Sequence, residues 1–374
     1  MKTTSMKKAL LSLLIASGMS MSVHARELLV GSYTDGASQG IYRYRFSEGR
    51  IDAMPLQVVE AGNPSWLTLS ADGRRLFAVN EAAAGRVSAF SLDAHHVLTA
   101  VNQVGSGGAE PTHSSLSRDG RFLFVANYGG SNTEGGSLSV LPVQADGRLG
   151  EPVQQVRHAA SKVNPERQAT PHVHSLVSSP DGRFVFASDL GADKVFAYRY
   201  EPDQAEPLKA FDAVDLPPGS GPRHLLLSAD GRHAWLTLEM SAEVAVFDHQ
   251  DGHLTLRATV PLTDSKDPAA KAAGALHASA DGRFLYVSNR GTANELVVFA
   301  IDPLDGGLTL VQRRSVEGDH PREFALDPEQ GFVLVANQKS DEIVVIRRDP
   351  ASGRLGEVVQ QFVQPAPSDL KFLD

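Results

Sequence analysis

Short apolar runs recur along the chain, each cut by a polar turn and resumed after it. The phrase appears as LTLSADGRRLFAVN, SLSRDGRFLFVAN, LVSSPDGRFVFASD, LLLSADGRHAWLTL, HASADGRFLYVSN and ALDPEQGFVLVAN. Its central glycines, Gly73, Gly120, Gly182, Gly231, Gly282 and Gly331, are separated by 47, 62, 49, 51 and 49 residues. Asp-Gly between two such runs favours a tight hairpin, because glycine accepts a positive φ without a Cβ clash. In the second phrase Phe122, Phe124 and Ala126 face one way and Leu123 and Val125 the other. Both faces are apolar, as in a strand sandwiched between two neighbours. A third strand follows each phrase (RVSAFSL, SLSVLPV, KVFAYRY, EVAVFDH, ELVVFAI, EIVVIRR), and a turn and outer strand such as DGRLGEPVQQV close the unit.

An all-strand unit repeating about every 50 residues is a propeller blade. Six phrases are complete, and the chain ends supply a seventh. PSDLKFL resembles the inner strand PSWLTLS, while ELLVGSY and GIYRYRF resemble second and third strands. The expectation is an all-β, seven-bladed propeller whose closing blade is a composite of both termini. Joining them also pairs edges that an open ring would expose. No sustained helical period and no linker interrupt the mature chain, so residues 26–374 read as one domain.

Composition narrows the class. Hydrophobic residues make up 42% and charged residues 21%, in the range of a globular chain and not a disordered one. Lys2, Lys7 and Lys8, then the apolar run Ala9 to Val23, then Val23-His24-Ala25, have the order of a secretory signal over residues 1–25. The alternative is an uncleaved anchor, although the run is short and broken by Ser and Gly. Removing the three lysines takes the net charge from −9 to −12. Such acidity disfavours nucleic acid and anionic membrane as partners. With no cysteine, disulfides, thiolate metal sites and Cys nucleophiles are excluded. The expected product is a periplasmic protein, monomeric because a closed ring has no edge that calls for a second copy.

Blade pseudosymmetry separates structural from chemical positions. Eight residues after the turn Asp stand Asn80, Asn127, Asp189, Leu238 and Asn289, with Asn337 matching in the last phrase; this pattern suits capping of loop backbone. The next position varies: Glu81, Tyr128, Leu190, Glu239, Arg290 and Gln338. So do the residues opening the inner strands: Ser65-Trp66, Thr112-His113, His174-Ser175, Arg223-His224 and Arg322-Glu323. Together they crowd Arg223, Arg290, Arg322, Glu81, Glu239, His113, His172, His174 and His224 at one mouth. That many ionisable groups point to a binding or reacting site, the alternative being a self-neutralising polar plug. The long step between Gly120 and Gly182 carries RHAASKVNPERQATPHVHS, read as a flap delivering His172 and His174 and otherwise as a decorative loop. His95, His96, His158, His249 and His253 read as surface or loop residues.

The phrases VGSYT, DGRFLFVANYGG, PHVHS, SPDGRFVFASDLGADKVFAYRY, GPRHL, DGRFLYVSNRG and PREFALDPEQGFVLVANQ resemble the lactonase family of seven-bladed propellers over residues 27 to 374. That family includes a bacterial 6-phosphogluconolactonase type and a fungal muconate cyclase. The resemblance implies hydrolysis of a sugar lactone, with a catalytic set falling on His174, Arg223, Glu239 and Arg290, and His172 as a rival to His174. Leu238 stands where the family usually has Asn before the Glu. Glu81, His113, Asn127, Tyr128, His172, His224, Arg322 and Asn337 complete the expected substrate-binding set. No Gly-x-Ser-x-Gly elbow is present, so direct attack by water is expected, with Glu239 or His174 as general base and the arginines holding the oxyanion. No cofactor or metal is expected. Export favours an unphosphorylated aldonolactone such as glucono-1,5-lactone over 6-phosphogluconolactone. A lactonising cycloisomerase and a non-enzymatic binding propeller are the other readings.

Overall fold

Residues 25–130 and 135–373 are described in a computed structural model. The signal reading over residues 1–25 lies outside them except for Ala25. Seven antiparallel sheets are arranged in chain order. Six have four strands, and their inner strands are Pro64–Leu69, Pro111–Leu116, Val173–Ser178, Pro222–Leu227, Ala273–Ala278 and Pro321–Leu326. We call these the first to sixth blades. The seventh joins the C-terminal strand Pro367–Leu373 to Arg26–Ser32 and Gly40–Ser47, as the terminal motifs imply. Among the described residues, no helix is long and apolar enough to cross a membrane.

The double-faced strands pack as the pattern requires. Phe122, Phe124 and Ala126 join Val173, Leu176 and Val185 of the third blade. Leu123 and Val125 join Phe77 and Val79 of the first. The other junctions carry apolar clusters of the same kind, so the core is a ring of wedges around the axis.

The turns are wider than a two-residue hairpin. In the first blade Ser70 N donates to Arg75 O across four residues, the Ser70 hydroxyl donates to Asp72 at 2.5 Å, and Gly73 adopts φ +65. The Ser–Asp contact recurs at Ser117–Asp119, Ser179–Asp181, Ser228–Asp230 and Ser279–Asp281. In the sixth blade the structure corrects the alignment by one residue. Gln330, at φ +62, takes the left-handed place of the glycine, and Gly331 follows it. Asp327 replaces the serine and accepts from Phe332 N at 2.5 Å.

Two backbone devices build the mouth. First, every inner strand carries a bulge near its start. Register slips at Ser65, Thr112, His174, Arg223–His224, Gly274–Ala275, Arg322 and Ser368. An extra residue in one strand re-aims its side chain, here toward the axis. Second, the residue after each second strand donates its N–H to the carbonyl just before the inner strand: Tyr33 to Ala366, Glu81 to Asn63, Tyr128 to Glu110, Leu190 to His172, Glu239 to Gly221, Arg290 to Ala272 and Gln338 to His320. Two rings of side chains are thereby fixed at one end of the channel.

Candidate active site

Ser65, Trp66, Thr112, Arg223, His224, Arg322, Glu323 and Ser368 line a narrow axial cavity of about 10 Å³. A larger hollow of about 580 Å³ lies on the opposite face, between the turns of the first two blades. Size does not decide between them. The convergent buried charges lie at the axial mouth.

At that mouth His174, Arg223, Glu239 and Arg290 are all buried. Glu239 Oε2 accepts from Arg223 Nε at 3.1 Å and pairs with Arg290 Nη2 at 2.8 Å. Arg290 is braced further by the carbonyls of Ala272 and Ala273. The other carboxylate oxygen, Oε1, pairs with Arg167 Nη2 at 2.8 Å, and the same nitrogen donates to the Tyr128 hydroxyl at 3.2 Å. Burial alone would raise the Glu239 pKa, but Arg290, Arg223, His174 and Arg167 outweigh it and hold the carboxyl well below its usual range. Leu238, in the place of the family's Asn, packs in an apolar cluster with Leu225 and Leu236. The Glu239 N–H bond to Gly221 O at 2.7 Å fixes the backbone without a side-chain cap.

His174 sits beside this cluster, its ring 5.2 Å from His224 and 5.6 Å from Tyr128. Burial first, and then Arg223, keep it neutral well below the usual histidine pKa. Its Nδ1 is buried and bonded to no protein atom. His224 is held neutral in the same way, and His113, tilted against Trp66 with ring centres 4.4 Å apart, is lowered to about 3 by burial and then Lys371. His172 is partly buried. It stacks on Tyr128 at 4.4 Å, and its Nδ1 lies 2.8 Å from Tyr128 O, so it braces the mouth beside His174.

A second ionic group lies across the mouth. Arg322 pairs with Glu81 at 3.1 Å and lies 5.0 Å over the Tyr33 ring, while the Tyr33 hydroxyl donates to Glu81 at 2.7 Å. Four guanidiniums therefore face two carboxylates here, with the neighbouring buried histidines neutral. Deeper in the channel Glu323 meets His277 at 2.5 Å and Asp369 meets Lys371 at 2.8 Å.

Two of the expected substrate-binding residues are placed elsewhere. Asn127 and Asn337 are fully buried, and their amides reach Ser106 O and Val316 O at 3.3 Å. They serve the capping role that the blade repeat gave that position, and we assign them no ligand contact. His158 is also not a surface residue. Its side chain is 3% exposed and bridges Asp189 at 2.8 Å and the Tyr198 hydroxyl at 2.7 Å. It roots the inserted segment 157–172 in the third blade.

Two mouth residues were absent from the expected set. Tyr33 is the seventh member of the ring that contains Glu81 and Glu239, and extending the register to the composite blade would have found it. Arg167 lies in the insertion, which has no counterpart in the other blades, so no register could place it.

The family described as "Lactonase, 7-bladed beta-propeller" matches residues 27–372. The chain is 33% identical to a 6-phosphogluconolactonase of Formosa agariphila over 92% of this chain and 98% of that one. It is 32% identical to a 6-phosphogluconolactonase of Bacillus subtilis over 92% and 97%. The solved structure of a periplasmic gluconolactonase from Pseudomonas aeruginosa superposes with a TM-score of 0.91 and 52% identity, covering 94% of this chain and 99% of the other.

Proposed function

The chain belongs to the seven-bladed β-propeller lactonase family, and from that premise we propose that it hydrolyses an unphosphorylated aldonolactone, such as glucono-1,5-lactone, to the free aldonic acid. One observation carries the mechanism: Glu239 is gripped on both oxygens by Arg167, Arg223 and Arg290. A carboxylate so engaged has neither oxygen free to take a proton from water. Its chemistry is to fix the guanidiniums, leaving an excess of positive charge where an oxyanion develops. Fixed cations in a poorly solvated site stabilise such charge without reorganising during reaction.

His174 is then the general base. It is neutral, and Nδ1 is not occupied by a protein donor or acceptor. Water attacks the lactone carbonyl carbon as His174 takes its proton. The carbonyl electrons move to oxygen beside Arg223 and Arg290. Collapse of the tetrahedral intermediate breaks the ring C–O bond, and the imidazolium returns its proton to the departing alkoxide. The acid ionises as carboxylate against the arginines. General base and oxyanion contributions are each worth about 10²–10³-fold.

Support for the unphosphorylated substrate is the similarity to the periplasmic gluconolactonase and the export pattern in residues 1–25, which also favour a periplasmic site of action. The 6-phosphogluconolactonase relatives favour the phosphorylated substrate as the second reading. Hydrolysis of both lactones by purified protein, with and without chelator, tests the proposal. Faster turnover of glucono-1,5-lactone, unchanged by chelator, is expected. Preference for the phosphorylated lactone would overturn the substrate assignment.

A further inference from the structure

The inserted segment 157–172 presents one guanidinium to the mouth from a turn that is itself fixed. Glu166 N and Arg167 N both donate to Asn164 Oδ1, at 2.9 and 3.1 Å. Gln168 is fully buried and donates to Leu190 O at 2.9 Å. His158 anchors the other end of the segment. The backbone is tied down at both ends of the approach, so motion at this point is confined to the Arg167 side chain.

The three guanidiniums on Glu239 are unequal. The Arg223 and Arg290 side chains are 2% and 7% exposed, whereas that of Arg167 is 44% exposed. Parting a buried ion pair leaves an uncompensated charge, whereas a half-exposed partner is readily taken up by water or by another anion. Arg167 is also the only one of the three on Oε1. Releasing it leaves the Arg223–Glu239–Arg290 bridge on Oε2 intact.

Resting on the lactonase reading above, we infer that Arg167 is a substrate-gripping residue that sets affinity. On binding it exchanges Glu239 Oε1 for oxygen atoms of the lactone, and after hydrolysis it holds the new carboxylate. The Tyr128 hydroxyl, already within hydrogen-bond distance of Arg167, limits the swing to the mouth. The insertion thus adds a third, movable cation to the two fixed ones.

The test compares wild type with Arg167→Ala and Arg167→Lys, using glucono-1,5-lactone for kinetics and gluconate for calorimetric binding. Arg167→Ala is expected to raise KM and weaken gluconate binding by about tenfold to a hundredfold, the worth of a charged hydrogen bond, with a smaller change in kcat. Added guanidinium ion restores both, because the vacated place is open to solvent. The lysine variant falls between the two, and the loop control Glu166→Ala matches wild type. Unchanged KM and gluconate affinity in Arg167→Ala, or a loss that guanidinium does not restore, would overturn the inference. Wild-type turnover is read separately, so failure of the lactonase reading is told apart, and the gluconate arm needs no turnover.

Discussion

Glu239 and Arg290 occupy the same position in adjacent blades and meet at 2.8 Å across the mouth of the channel. In other blades that position holds Glu81, Tyr128, Leu190 and Gln338. The repeat fixes where the side chain stands, and the residue type alone decides what it does.

Glu239→Gln is expected to destabilise the fold as well as lower activity. It leaves Arg223 and Arg290 buried without a counter-charge, a loss of about 3–5 kcal/mol for such pairs. Chemical denaturation measures it. Since Glu239 anchors the arginines and is not the base, the acid limb of the kcat profile should persist and move to lower pH, because the Glu239 charge that raises His174 is gone. An acid limb that disappears in this variant would move the base from His174 to Glu239.

Stability should fall steeply on mild acidification. Burial holds His113 and His320 at about 3, and His174 and His224 well below 6.5. Below pH 6.5 the unfolded chain takes up these protons and the folded protein does not, so stability is lost as pH falls from there toward about 3. Each group contributes up to ~1.4 kcal/mol per pH unit. Asp327, pushed up to about 6 by burial, works the other way, as do Glu295 and Asp369, which burial also raises. Scanning calorimetry between pH 7.5 and about 4.5 checks the sign; a flat Tm would contradict it.

His158→Ala should free the inserted segment without touching the mouth directly. The Asp189 and Tyr198 contacts are lost, and Asp189 keeps only its bonds to His172 N and Ala192 N. Faster tryptic cleavage at Lys162 and a raised KM are expected. Cleavage at the wild-type rate would show that the segment is held without His158.

Deleting Pro367–Asp374 should prevent closure. The inner strand of the composite blade is lost, along with the Asp369 contact to Leu67 N at 2.7 Å, and the strand Arg26–Ser32 becomes an open edge. Such edges pair with other chains. Size-exclusion chromatography should find aggregate, and a stable monomer would contradict the closure argument.

The architecture was legible because turn glycines and double-faced strands repeat about every 50 residues, apart from one longer step of 62. The mouth was legible in part for the same reason: Arg223, Glu239, Arg290 and Arg322 sit at blade-equivalent positions that depart from the repeat. What escaped had no repeat to be read against. Arg167 stands in a unique insertion, and its approach to Glu239 depends on how Asn164 and Gln168 fold that segment back. His158 looked like a loop residue because nothing local shows that Asp189 and Tyr198 close over it. Asn127 was legible as a cap, and its amide reaches Ser106 O in that role.

The account rests on a neutral histidine working beside fixed guanidiniums, and a single comparison tests it. Initial rates of acid release from freshly dissolved glucono-1,5-lactone are measured for wild type and His174→Asn at matched folded concentration. A fall in kcat of at least about 10²-fold with thermal stability preserved is expected. A folded His174→Asn protein that hydrolyses the lactone at the wild-type rate would contradict the mechanism.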